Sequence, residues 1–166
     1  MWFTDRRDFR SPNKLSDGAE KTIWGAEQEA WCTRTVKEGT ATWKVLGSRT
    51  PLIDPDRARK HDNHRNSAWL QANAPENFFV GGGDRHWQYH SAHPAAGGQE
   101  FSVGPASDSH ASETADADNA YHRFHRVKGG LLCVEVGAAA GKGALTFPLR
   151  GVDRGNGYEA KRTQPA

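Results

Sequence analysis

Residues 77–91 read NFFVGGGDRHWQYHS: four residues with an apolar core, three consecutive glycines, then an acidic, basic and aromatic run. The apolar residues predict a buried strand over 77–80 that the glycines terminate. In an extended chain, residues two apart project to the same side. Asp84 and His86, together with Gln88 and His90, are therefore expected to line one face at the carboxyl end of a strand. Ligand sites of open α/β sheets favour that edge. A carboxylate gives a hard anionic oxygen and an imidazole a neutral nitrogen, a donor pair suited to a di- or trivalent metal. Gly81, Gly82 and Gly83 carry no Cβ and let backbone and ligand approach closely. Alone, an Asp-x-His pair is more often a hydrogen-bonded surface feature than a metal site. The strand, the glycines and the later histidines His90, His93, His110, His122 and His125 make the two readings comparable.

Upstream, Asp17 can cap a helix over 19–37, with Glu20 in its first turn. Trp24, Gln28, Trp31 and Thr35 fall on one stripe beside Cys32 and Val36, so both indoles are expected to face a core. Gly39 suits the helix end, and 41–46 reads as a buried strand running towards Pro51. Residues 54–66 are nearly all polar and predict a surface loop, and a short helix is expected near 67–72. Downstream the pattern is all β, with strands at 99–103, 122–127, 131–136 and 145–149. Within 131–136, Leu132, Val134 and Val136 should share one face. Pro148 places the last strand at an edge. Residues 104–120 predict a long mobile loop, and the chain from about 155 a frayed end.

The composition narrows the function classes. Twenty-two basic against 20 acidic residues leave a net charge of +2 over 166 residues, which gives no nucleic-acid-binding signal. No apolar run approaches a membrane span, and the N-terminus has no signal-peptide pattern. Cys32 and Cys133 lack the spacing of a metal knuckle and read as two buried free thiols, with a disulfide unsupported.

A second candidate site is Asp62-Asn63-His64, flanked by Arg57, Arg59, Lys60 and Arg65. Such a segment can bring cations to a phosphate and an amide or imidazole to a metal, although a solvated charge run is the commoner meaning of this pattern. Gly141-Lys142-Gly143 lacks the spacing of a phosphate-binding loop, and no serine nucleophile elbow is present.

The stretches DFRSPN (8–13), EKTIWGAEQEAW (20–31), DRARKHDNHRN (56–66), NFFVGGGDRHWQYHS (77–91), EFSVGPASDSHA (100–111) and HRFHRVKGGLL (122–132) resemble successive blocks of the PhoD-like metallophosphatases, the alkaline phosphatase D family, in the family's order. The resemblance implies an α+β fold, the C-terminal portion of a calcineurin-like metallophosphoesterase β-sandwich with flanking helices. Residues 1–150 would form that portion of the domain and 151–166 a loosely ordered tail. It implies hydrolysis of phosphate mono- or diesters by metal-activated water, with iron and calcium as cofactors, a phosphate ester as substrate and an exported location. By position, Asp84 and His86 would be metal residues, with Asn63 and His64 near them. His86, His90 and Arg85 are the candidates to assist the leaving oxygen. The family's further metal residues precede the block at which this chain starts, so a missing N-terminal half of the same domain is expected to complete the site. The alternatives are a catalytically inactive remnant and a small β-rich binding module.

Overall fold

The computed structural model describes residues 1–5, 8–16, 20–53, 66–95, 97–112 and 120–164. The polar segment expected as a surface loop, with Asn63 and His64, and the expected cap Asp17 lie outside the described residues. Among the described residues, two sheets and two α-helices form three layers. The first sheet has six strands: β1 (Trp2–Phe3), β2 (Lys44–Ser48), β3 (Phe78–Gly82), β4 (Gln88–Ala92), β5 (Gln99–Val103) and β6 (His122–Arg126), in the order β1-β2-β3-β5-β4-β6. Strands β1, β2, β3 and β5 run parallel to one another, while β4 is antiparallel to β5 and β6. The second sheet is antiparallel. It contains β7 (Gly130–Leu132), β8 (Glu135–Ala139), β9 (Lys142–Gly151) and β10 (Asn156–Thr163), with β9 at its centre.

Both faces of the first sheet are covered, which is why its central strand is apolar without a break. Phe78 and Val80 pack with Leu46 under α1 (Ala26–Glu38) and α2 (Asn66–Asn73), beside Trp24, Cys32, Val36, Trp69 and Leu70. Phe79 and Val45 face the opposite way, onto Phe101, Leu145, Phe147 and Ala160 between the sheets. Aromatic rings carry much of that second core. Phe101 and Phe147 stack at 4.1 Å between centroids, and Phe79 tilts against Phe147 at 5.2 Å. Such contacts stabilise beyond the area they bury.

Several expectations need correction. Helix α1 begins at Ala26 rather than near 19, because Gly25 stands at φ +74° and the Thr22 hydroxyl accepts the backbone N–H groups of Trp24 and Gly25, closing a turn. Trp24 is buried in that turn, ahead of the helix. Trp31 is 39% exposed, so Cys32 and Val36, one helical turn apart, form the buried face without it. The buried Lys44 ammonium donates to the Val36 carbonyl at 2.8 Å, placing a cation at the helix C-terminus. Cys32 is a buried free thiol pushed up to about 11 by burial and, secondarily, by Glu29; Cys133 is free and half-buried.

The expected strand over 131–136 is broken in two, and Val136 is exposed. Pro148 lies not at an edge but in the central strand β9, opposite the break between β7 and β8. Its carbonyl accepts from the Cys133 N–H at 2.9 Å, so its missing N–H faces the gap in the ladder. The end of the chain is not frayed: β10 pairs with β9 from Asn156 to Thr163.

Candidate active site

The parallel strands β2, β3 and β5 place their carboxyl ends on one edge, and three connections leave from it: residues 49–53, 83–87 and 104–112. Asp84 and His86 sit on the second. This segment is a bend rather than the start of a strand, yet the two-residue alternation persists through it. Asp84 and His86 are exposed while Arg85 and Trp87 are buried. Asp84 adopts φ +69°, a left-handed conformation that Asp tolerates better than most residues. The third connection is tied to the turn, because the Ser112 N–H donates to the His86 carbonyl at 3.0 Å. It carries His110, whose Nδ1 lies 2.9 Å from the Ser107 hydroxyl.

Beneath the turn lies a residue that the sequence did not single out. Glu100 is fully buried on the helix side of β5, where it accepts the backbone N–H groups of Leu52 and Ile53, each at 2.7 Å, and the Tyr89 hydroxyl. Burial raises its pKa, against the opposing pull of these hydrogen bonds and of Arg85. Glu100 therefore links the connection after β2 to the floor of the Asp84 turn. Its signal was a lone carboxylate in the expected strand 99–103, and the strand's burial, which the structure shows, makes partners a requirement.

Arg85 is 4% exposed and lies 5.5 Å above the Trp87 ring. It supports the turn from below and is not presented beside Asp84 and His86. Gln88 and His90 keep the same alternation but enter the core between the sheets, so the expected four-residue face divides into an exposed and a buried half. Gln88 donates to the carbonyls of Val103 and Arg150. His90 lies 3.0 Å from Gln99 Oε1 through Nε2 and 2.8 Å from the Tyr158 hydroxyl through Nδ1, stacked on Phe101 at 4.2 Å. An amide oxygen only accepts, so Nε2 carries the proton and Tyr158 donates to Nδ1. Desolvation lowers the pKa of His90 to about 4, helped by the charges of Arg162 and Arg123 and opposed by the Gln99 bond. His90 is a neutral, saturated core histidine in the middle of β4.

Gly81 and Gly82 lie within β3, where a Cβ would stand at ordinary contact distance from Leu132 and from the Glu100 carboxylate, 3.4 and 3.5 Å, so neither position needs a glycine for space.

The family model of the PhoD-like phosphatases matches residues 1–129. The chain belongs to the PhoD-like phosphatase family. A solved structure described as "Structure of PhoD" is 17% identical and superposes with a TM-score of 0.67 over 98% of this chain. The chain spans 38% of the length of that PhoD chain. At that identity the likeness shows the fold, a mixed arrangement of sheets with few helices. No curated protein gives a significant match to the sequence. Within this family frame, GDRHW at 83–87 is one block whose polar side chains, Asp84 and His86, reach solvent at the sheet edge. Among the described residues, no three His, Cys, Asp or Glu side chains gather closely enough to hold a metal ion, and no helix is long and apolar enough to cross a membrane.

Proposed function

We propose that this chain is the part of a calcineurin-like, metal-dependent phosphoesterase domain that supplies Asp84 and His86 to the hydrolysis of phosphate mono- or diesters. The observation that carries this reading is the joint exposure of a carboxylate and an imidazole on one turn, at the carboxyl edge of parallel strands, in a member of a phosphatase family. The pair fits a metal in kind, since a hard oxygen and an imidazole nitrogen suit iron and, for the carboxylate, calcium. It does not suffice in number, because such ions take four or more donors. In this reading Asn63 and His64, which follow the connection anchored by Glu100, add to the set, and the remaining donors come from outside the 166 residues.

A bound metal would supply Lewis acidity at the phosphoryl oxygens and an activated water. The chain's own residues would do the rest. Asp84 would fix the cation beside the turn, and His86, exposed on the same turn, would hand a proton to the leaving oxygen where it is not a ligand. Arg85, through its charge on Glu100 and its position over Trp87, would hold the turn rigid from below.

The test is hydrolysis of p-nitrophenyl phosphate and bis-p-nitrophenyl phosphate by the purified chain, with iron, with calcium and with chelator. Very low metal-dependent turnover that disappears in Asp84→Ala is expected. Turnover indifferent to chelator or to Asp84→Ala would remove this pair from the chemistry. Robust turnover by the chain alone would show that it needs no further ligands.

A further inference from the structure

At the opposite end of β4 the edges of the two sheets converge, Phe124 of β6 stacking on Tyr158 of β10 at 4.4 Å. Beside this contact opens a cleft of about 620 Å³, within the size range of small-molecule sites. We propose that this cleft binds the phosphate group of a ligand, with Arg123 and Arg162 as its cationic contacts.

The charge is local. The whole chain carries a net +2, yet two guanidiniums, Arg123 and Arg162, stand at this one cleft beside one carboxylate, Glu159, and both charges act on His90. Among the described residues neither guanidinium has an ion-pair partner. Arg162 is also oriented in advance. Its guanidinium donates to the Lys161 carbonyl at 2.9 Å and to Gln99 Oε1. Of a guanidinium's five N–H donors these use two, leaving three for a ligand. A planar fork held in place suits the paired oxygens of a phosphate group and loses little entropy on binding.

The cleft's floor adds no negative charge to compete. Gln99 receives both Arg162 and the His90 Nε2–H, His90 in turn accepts the Tyr158 proton, and the imidazole stays neutral. The like charges of Arg123 and Arg162 are part of what keeps His90 unprotonated. An anion seated between them would offset that repulsion, which gives the site an internal reporter.

Residues 83–87 precede β4 and none of them lines the cleft, so the cleft is separate from the Asp84 turn. The proposal therefore does not rest on the hydrolysis reading and is tested in the Asp84→Ala variant with chelator present. Inorganic phosphate is titrated at constant ionic strength while the His90 ring is followed by NMR. Saturable binding with an upward shift of the His90 titration midpoint is expected. Arg123→Ala should weaken binding about tenfold, as for loss of one charge-assisted contact, and Glu159→Gln should tighten it roughly threefold by removing a repelling charge. Glycerol phosphate distinguishes the source: tighter binding than inorganic phosphate marks an organic ester as the ligand, weaker binding marks free phosphate, and either supports the site. An equal response to phosphate and chloride, or affinity unchanged in both variants, overturns it.

Discussion

His86 and His90 lie four residues apart in one segment and occupy opposite situations. His86 stands in solvent on a bend with Asp84 beside it, while His90 is 3% exposed, stacked on Phe101 and saturated by Gln99 and Tyr158. The alternation that puts Asp84, His86, Gln88 and His90 on one side of the chain holds for all four residues. What changes is what that side meets, because the second sheet covers it only from Gln88 onward. A histidine's chemistry thus follows from where the neighbouring sheet begins, which the local pattern does not contain.

Three experiments press on this contrast between a buried half that holds the fold and an exposed half that is free for chemistry. The largest effect should come from Glu100, which anchors the buried side. Glu100→Ala leaves the amides of Leu52 and Ile53 and the Tyr89 hydroxyl without their acceptor, and should cost about 3–5 kcal/mol in denaturant unfolding. A loss under about 1 kcal/mol would show that this carboxylate supports little.

Next in size is the pH dependence of stability at His90. Its folded pKa of about 4 lies below the unfolded 6.5, so over that interval the unfolded chain binds the proton more readily. Stability is complete above pH 6.5 and is lost as pH falls towards 4, by on the order of 3 kcal/mol. Glu100, whose pKa burial raises, pulls the other way at the acid end, so the comparison is with His90→Asn. That variant should show a shallower loss between pH 6.5 and 4, and identical slopes would contradict a neutral, buried His90.

The smallest effect belongs to the exposed half. His86→Ala removes a solvated ring and should change stability by less than about 0.5 kcal/mol. A larger loss would mean that the turn is a structural element and not a platform for a ligand.

The sequence was readable wherever one residue's neighbours along the chain set its environment. Strand β5 falls on the expected 99–103, Gly39 ends α1, and Phe78–Val80 lie in the doubly covered strand, which runs on through Gly81 and Gly82 instead of stopping at the glycines. The misreadings arose where partners distant in sequence decide. Trp31 kept helical spacing with Trp24, but Gly25 interrupts the helix between them. Pro148 signalled an edge by its missing N–H, which instead faces the gap between two short strands. The tail reads as a frayed chain end, yet β9 supplies the ladder that holds β10. Likewise at the site: Asp84 and His86 were visible as a spacing, whereas Glu100 and the division of the histidines depend on partners up to 68 residues away.

The most direct test of the claim that Asp84 and His86 form a cation-ready pair is a titration of the labelled chain with Mn²⁺, read as paramagnetic broadening of its amide NMR signals. Broadening centred on residues 83–87 and abolished by Asp84→Asn is the expected result. Broadening centred elsewhere, or left intact by that substitution, would contradict the account.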